Sequence, residues 1–391
     1  MKTITFRNGV NRREFCRLAA LSGVAASITP GLVKPLYSQT KEKPSTNIDT
    51  ALKIARTPDS MPGKYPGRVV EAYHSKSVVN NKPDLKIADR VLEKSMLELT
   101  GAASLTAAWR QFVSPEDIIG LKVNPVAGKL LSTSLEIVHA VISQLEAAGI
   151  PSKNIVIWDR REFELHEVGF TGENFPGIRI TGTERKDAKG SYYDSNGKLY
   201  SEAVIDPDWY YRADCEMSYD KETLPYMVNE GKNSYFTKIA TREVTKIINI
   251  PILKNAGSTV TLALKNLAFG SISNTARLHN QLWVETCAQV PCFPPLRDKV
   301  VLNIADGFRG CFDGGPGAKP QFFTDYNTLL LATDPVAIDR IGYEIVLKKR
   351  LAEKVQKEES PRGTAYMMLA QEYGLGTADL DKITHQKLNL G

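Results

Sequence analysis

Cysteine and histidine are scarce in this chain, with five of each in 391 residues. There is no Cys-x-x-Cys, no ferredoxin-like cysteine run and no His-x-x-x-His pair, so no segment has the ligand spacing of a zinc finger or a ferredoxin cluster. No Gly-x-Ser-x-Gly elbow occurs, which removes the commonest serine-hydrolase signature. After residue 38 no run is long and apolar enough to span a bilayer. An excess of one charge is missing too. The formal net charge is +6, but residues 1–38 hold six basic residues and one acid, so the remainder carries +1. A nucleic-acid binder needs a basic stripe, and none is present. There is no internal repeat.

The first 38 residues are the most informative part of what remains. Arg12-Arg13 is followed by Phe15, a weakly apolar run from Leu18 to about Leu32, and the small-residue segment Pro35-Leu36-Tyr37-Ser38. This layout resembles a bacterial twin-arginine export signal cleaved near Ser38. The apolar run is interrupted by Gly23, Ser27 and Pro30, and a spanning helix needs about 20 apolar residues, so the segment reads as an address and not an anchor. The resemblance implies a periplasmic destination and the twin-arginine translocase as a partner. It also implies passage in the folded state, often with a cofactor already loaded. Cys16 precedes the apolar run and is misplaced for lipid attachment. The periplasm is oxidising, so Cys215, Cys287, Cys292 and Cys311 are either buried thiols, one or two disulfides with three connectivities open, or metal ligands.

Residues 39–66 read as a polar linker strapped onto the surface, and residues 67–391 as an α/β domain. The periodicity predicts a strand at Arg68–Tyr73 and a helix over Asp84–Thr100. A βαβ unit follows: Ile118–Asn124, a helix capped at Thr133 or Ser134 and closed by Gly149, then Asn154–Asp159. Arg160 to about Glu243 loses the pattern and reads as a β-rich insertion, with Asn196-Gly197 suited to a hairpin turn. Strands return at Thr245–Lys254, Lys299–Ala305 and Asn327–Ala332, with a helix from Thr259 or Thr261 to Leu267 between the first two. Asp334-Pro335 opens a long helix, and 361–374 form another. The fold class is α/β, with a mostly parallel central sheet flanked by helices.

Polar residues gather where apolar strands end: Lys122 and Asn124, Asp159, Lys254 and Asn255, and Asp306. In open parallel sheets ligands bind beyond the carboxyl ends of the strands. Lys122, Lys254 and Asp306 are therefore expected along one edge of the sheet. Lys122, Asn124, Lys254, Lys265 and Asn266 are expected to bind an anionic small molecule, lysines supplying charge and amides orientation. His279 and Asp306 are the candidate proton-transfer groups. Asp306, Asp334 and Asp339 could hold a divalent metal, although Asp334 also has the pattern of a helix cap. His139 sits among Leu135 and Ile142 and reads as a packing residue. Asp306–Gly317 is glycine-rich, but a strand follows it instead of a helix, so it is not a dinucleotide fingerprint.

Four blocks together resemble the bacterial and archaeal family known as domain of unknown function 362. They are Gly120–Asn124 with its following helix and Gly149; Ile248–Lys254; Thr261–Leu267 continuing to Gly270 and His279; and Asp306–Gly317 leading to Asp334-Pro335-Val336-Ala337-Ile338-Asp339. The resemblance covers about residues 68–350. It implies no specific activity. Many relatives add ferredoxin-type cysteine clusters, which this chain lacks. Many also carry a histidine soon after the lysine that Lys254 matches, where this chain reads Asn255-Ala256-Gly257. An enzyme or cofactor protein acting on an anionic small molecule is the leading expectation. A non-catalytic periplasmic binding protein or iron–sulfur-associated redox partner is the alternative.

Overall fold

Parallel strands are buried on both faces, so each must be followed by a helix that covers the sheet. A computed structural model describes residues 43–215, 232–257, 259–355 and 361–391. The export segment read over residues 1–38 lies outside the described residues. The strands are β1 (Arg68–Tyr73), β2 (Val78–Val79), β3 (Lys82–Pro83), β4 (Ile119–Lys122), β5 (Ile155–Arg161), β6 (Arg179–Glu184), β7 (Ile205–Arg212), β8 (Asn233–Thr237), β9 (Lys246–Asn249), β10 (Ile252–Ala256), β11 (Thr259–Thr261), β12 (Val300–Cys311), β13 (Phe323–Thr324), β14 (Thr328–Ala332) and β15 (Thr384–Asn389). The helices are α1 (Ile48–Leu52), α2 (Leu85–Thr100), α3 (Leu105–Trp109), α4 (Leu135–Ala147), α5 (Glu162–Val168), α6 (Ala263–Ser271), α7 (Ala276–Gln281), α8 (Trp283–Gln289), α9 (Pro294–Arg297), α10 (Pro335–Ala352) and α11 (Pro361–Glu372).

Eleven strands form one sheet, in the order β15-β1-β14-β12-β9-β4-β5-β6, with β10 and β13 also on β12 and β11 on β10. The run β12-β9-β4-β5-β6 is parallel throughout, and β14, β11 and β13 are antiparallel to their neighbours. The α/β class with a mostly parallel sheet is therefore the observed architecture. One face is covered by α2 and α4, through Val91, Leu92, Met96, Val138, Val141 and Leu145 against Ile119, Leu121 and Ile157. The other face packs α6, α8, α10 and α11, through Leu264, Leu267, Val336 and Ile338 against Trp158, Ile247 and Leu253. Alternation along β4 sends Ile119 and Leu121 to the first face and leaves Gly120 and Lys122 for the second. Gly120 makes room there, since a Cβ would lie 2.8 Å from the Trp158 indole nitrogen.

Three segments differ from the sequence reading. The single strand expected at 245–254 breaks at Pro251, which has no N–H to give a ladder. Its halves, β9 and β10, lie one after the other along the same edge of β12. The Asp306 N–H donates to the Pro251 carbonyl at 2.8 Å, closing the seam. With β10 to pair against, β12 runs on to Cys311 and does not stop at Ala305. Within the stretch read as a β-rich insertion, β6 extends the central sheet as its outermost strand, while β7 and β8 form a separate two-stranded sheet. Residues 43–66 are more than a surface strap, because Ile48, Ala51 and Met61 are buried in the core. Among the described residues no helix is long and apolar enough to cross a membrane. Cys215, Cys287, Cys292 and Cys311 are buried free thiols, so none of the three disulfide connectivities is present.

Candidate functional site

A lysine ammonium inside a protein must find acceptors, and the end of β4 shows how this one does. Lys122 is fully buried. Its Nζ donates to the Asp159 carboxylate at the end of β5, to the Val123 carbonyl at 2.9 Å and to Asn266 Oδ1 at 3.1 Å. The indole of Trp158 lies beside it, 5.5 Å from the ring centroid. Burial pulls the Lys122 pKa down, and the Asp159 charge opposes that pull. With its three donors engaged, Lys122 is a supporting pillar under the site and not the ligand contact that its position suggested.

A line of side-chain amides leads outward from it. Asn303 Oδ1 accepts from Asn249 Nδ2 at 2.9 Å, and Asn249 Oδ1 accepts from Asn266 Nδ2 at 2.8 Å. Asn266 Oδ1 accepts from Asn124 Nδ2 at 2.9 Å, and Asn124 Oδ1 accepts from Lys254 Nζ at 3.0 Å. Asn249 and Asn303 were absent from the sequence-based site. Their signal was available, since each is an amide inside an otherwise apolar strand, where it must be paired.

Lys254 and Lys265 differ from Lys122 in one respect. Each is buried, and neither has a carboxylate within ion-pair distance among the described residues. Lys254 donates to Asn124 and to the Val126 carbonyl. Lys265 donates to Thr261 Oγ1 at 3.3 Å and stands over the Trp283 ring, 5.6 Å from its centroid. Burial, and then repulsion from Lys265, brings the Lys254 pKa down to about 7. Burial also lowers that of Lys265.

His279, on α7, packs against Phe269 with the rings tilted by 36° and their centroids 4.1 Å apart, and its Nδ1 lies 3.0 Å from the Thr275 carbonyl oxygen. A carbonyl only accepts, so Nδ1 carries the proton and Nε2 is the acceptor. Burial pushes the imidazole down to about 4, so it is neutral at pH 7. Asn124, Lys254, Lys265, Asn266 and His279 all line one small cleft, with Asp159, Arg160 and Arg161 on its wall. Arg160 donates to Thr275 Oγ1 and lies 3.4 Å from Glu184. Arg161 is held by Glu184 at 3.0 Å and Glu164 at 2.6 Å. The glycine-rich loop contributes Pro316 to this wall. It can lie this close to β10 because Gly315 has no side chain, and a Cβ there would fall 1.8 Å from the Asn255 carbonyl oxygen.

The expected carboxylates are elsewhere. Asp306 is in the middle of β12, and alternation from Ala305 turns it to the opposite face, into a second cavity beside α4. Its Oδ2 accepts from the N–H of Ser134, the residue before α4, at 2.8 Å and its Oδ1 from Phe308 N at 3.2 Å. Burial raises it to about 6. Asp306 does lie with Lys254 beyond the Lys122 row, toward the carboxyl ends of the parallel strands, but its side chain lines the second cavity and not the cleft that holds His279.

Asp334 caps α10, accepting from Val336 and Ala337 N, and also from Gly67 and Thr377 N. Asp339 accepts from Ala263 and Leu264 N at 2.6 and 3.1 Å and from the Tyr366 hydroxyl at 3.0 Å. It thereby caps α6, whose preceding Leu262 cannot. These carboxylates serve backbone N–H groups, and among the described residues no group of three or more His, Cys, Asp or Glu side chains could hold a metal ion. The expected metal set of Asp306, Asp334 and Asp339 is thus three helix and turn caps. His139 stacks on Phe175 at 4.2 Å, as a packing residue should.

No curated protein matches the chain. The family model described as "Domain of unknown function (DUF362)" matches residues 119–344, which include β4, the amide line, both unpaired lysines and the cap of α6. That span is more than half of the sequence, and the chain belongs to the DUF362 family.

Proposed function

We propose that this is an exported enzyme that binds an anionic small molecule in the cleft and transfers a proton there. The observation that carries the reading is the pair Lys254 and Lys265, two buried ammonium groups with neutral partners alone. Burying a charge without a counter-charge is costly, so such a pair is kept where a ligand supplies the missing charge. Lys265 provides electrostatic attraction. Lys254, brought to about 7, can give or take a proton at neutral pH. His279, in the lining of the same cleft, presents Nε2 as an acceptor. Perturbed titratable groups that meet in a cleft favour catalysis over passive binding. Export by the twin-arginine route to the periplasm is part of the same reading and rests on Arg12-Arg13 and the apolar run behind them.

The test is a thermal-shift titration of the purified protein with small carboxylates and phosphates, in wild type and in Lys265→Ala. Stabilisation of wild type that is absent from the variant supports the anion site. Equal responses remove it. A bound anion that is never turned over, with Lys254→Met binding as wild type does, would convert the enzyme reading to a binding protein.

A further inference from the structure

The charges around the cleft can be counted, and the count says more than "anionic". Four cations line it, Lys254, Lys265, Arg160 and Arg161, and the fully buried Lys122 joins it through Asp159 and Asn266. Lys122 is neutralised by Asp159. Arg160 and Arg161 share Glu184, and Arg161 also holds Glu164. Three carboxylates therefore answer three cations. Among the described residues, two basic side chains are left without a carboxylate, Lys254 and Lys265, the first of them partly neutral near pH 7. Lys254 faces Thr261 across the β10–β11 pair and Lys265 donates to the Thr261 hydroxyl, so both side chains line the same small cleft.

We infer that the ligand carries two negative charges on one compact group, a dianion that bridges Lys254 and Lys265. The inference rests on the anion-binding reading of the cleft and adds the charge number to it. A monoanion would answer Lys265 and leave Lys254 either neutral or protonated without a counter-charge, so only one of the two sites would be used. A dianion answers both. Two chemistries meet this description: a tetrahedral oxyanion such as a phosphate monoester, and a short dicarboxylate. Asn124, already hydrogen-bonded to Lys254, and Thr261, already bonded to Lys265, hold the two ammonium groups in place before the ligand arrives.

Binding of a dianion also draws a proton onto Lys254. The titratable groups acting on this amine are Lys265 on α6, Asp159 on β5, the Cys311 thiol on β12 and Glu164 on α5. A ligand charge placed beside it outweighs the opposing Lys265, so the amine is protonated in the complex at a pH where it is partly neutral alone. Affinity therefore falls as pH rises above 7.

The experiment is isothermal titration of the full protein with inorganic phosphate, sulfate and malonate, against acetate and nitrate, at pH 7 and pH 8. Each titration is run in two buffers of different ionisation heat. The expected result is dianions binding at least about tenfold more tightly than monoanions, a difference of about 1.4 kcal/mol, with net proton uptake at pH 8. The phosphate and sulfate arms against the malonate arm separate oxyanion from dicarboxylate. Lys265→Met should bring the dianion-to-monoanion ratio close to one, and wild type alone decides the matter if that variant does not fold. Dianions and monoanions binding equally would overturn the charge inference and leave the anion reading standing. No binding of any probe at millimolar concentration would overturn both.

Discussion

Lys122 and Lys265 are buried lysines on neighbouring elements, yet the same substitution should move them in opposite directions. Lys122→Met leaves the Asp159 carboxylate buried without its partner, and the expected loss is about 3–5 kcal/mol of stability. Lys265→Met removes an ammonium whose hydrogen-bond partner is a hydroxyl, and the unliganded protein should be within about 1 kcal/mol of wild type or more stable than it. Urea denaturation of both variants beside Leu264→Ala checks this; a Lys265→Met loss as large as that of Leu264→Ala would make Lys265 structural. Lys254 gives a pH signature. In the folded protein it loses its proton near 7, whereas in the unfolded chain it keeps it to about 10.5. Between those values the unfolded state binds the extra proton, so this group's contribution to stability rises with pH across the window. Lys254→Met should flatten that rise in urea midpoints measured from pH 7 to pH 10.

At the scale of elements, α6 depends on a residue from α10. Its nine residues are buried, and its own N-cap position, Leu262, has no side-chain acceptor. Asp339→Ala strips the acceptor from the Ala263 and Leu264 N–H groups and from the Tyr366 hydroxyl. The expected cost is about 2–4 kcal/mol, with weaker anion binding because Lys265 and Asn266 ride on the same helix. Urea denaturation and the phosphate titration read the two effects. Burial raises Asp339 to about 7, so the folded state holds a proton that the unfolded state releases near 3.8. Its contribution to stability therefore falls as pH climbs from 4 to 7, and Asp339→Asn should reduce that fall.

These elements also show what can be read from a sequence. The βαβ unit β4–α4–β5 was legible because apolar spacing and Gly149 punctuate it, and β4 and α10 emerged close to the expected bounds. The cleft residues Asn124, Lys254, Lys265, Asn266 and His279 were legible as polar groups at strand ends and on the following helices. Asp306 was misread because a strand's end depends on what pairs with it. Nothing local to Ala305 announces that β10 will extend β12 to Cys311. β15 was missed because its Thr-His-Gln-Lys-Leu-Asn is polar on both faces, as an edge strand can be. Asp339 was read as a metal-ligand candidate, and its acceptor role for another helix is a tertiary fact.

For the molecule as a whole, the export reading makes its own prediction. Replacing Arg12 and Arg13 with Lys should hold the protein in the cytoplasm at precursor size, because paired guanidinium groups are not replaced by ammonium groups. Fractionation followed by immunoblotting checks it, and unimpaired export would remove the twin-arginine address. The sheet order gives this address a relation to time. β1 is the first strand of the main sheet to be made, and its neighbours are β14 and β15, from residues 328–332 and 384–389. Translation proceeds from the front of the chain, at about 5–20 residues per second, so β1 waits without either partner while nearly everything else is synthesised. On the export reading, a nascent chain would show its destination long before it can complete the edge of the sheet nearest that segment in sequence, and a product that stops short of Thr384 would carry the full export segment while β1 stands open on one side.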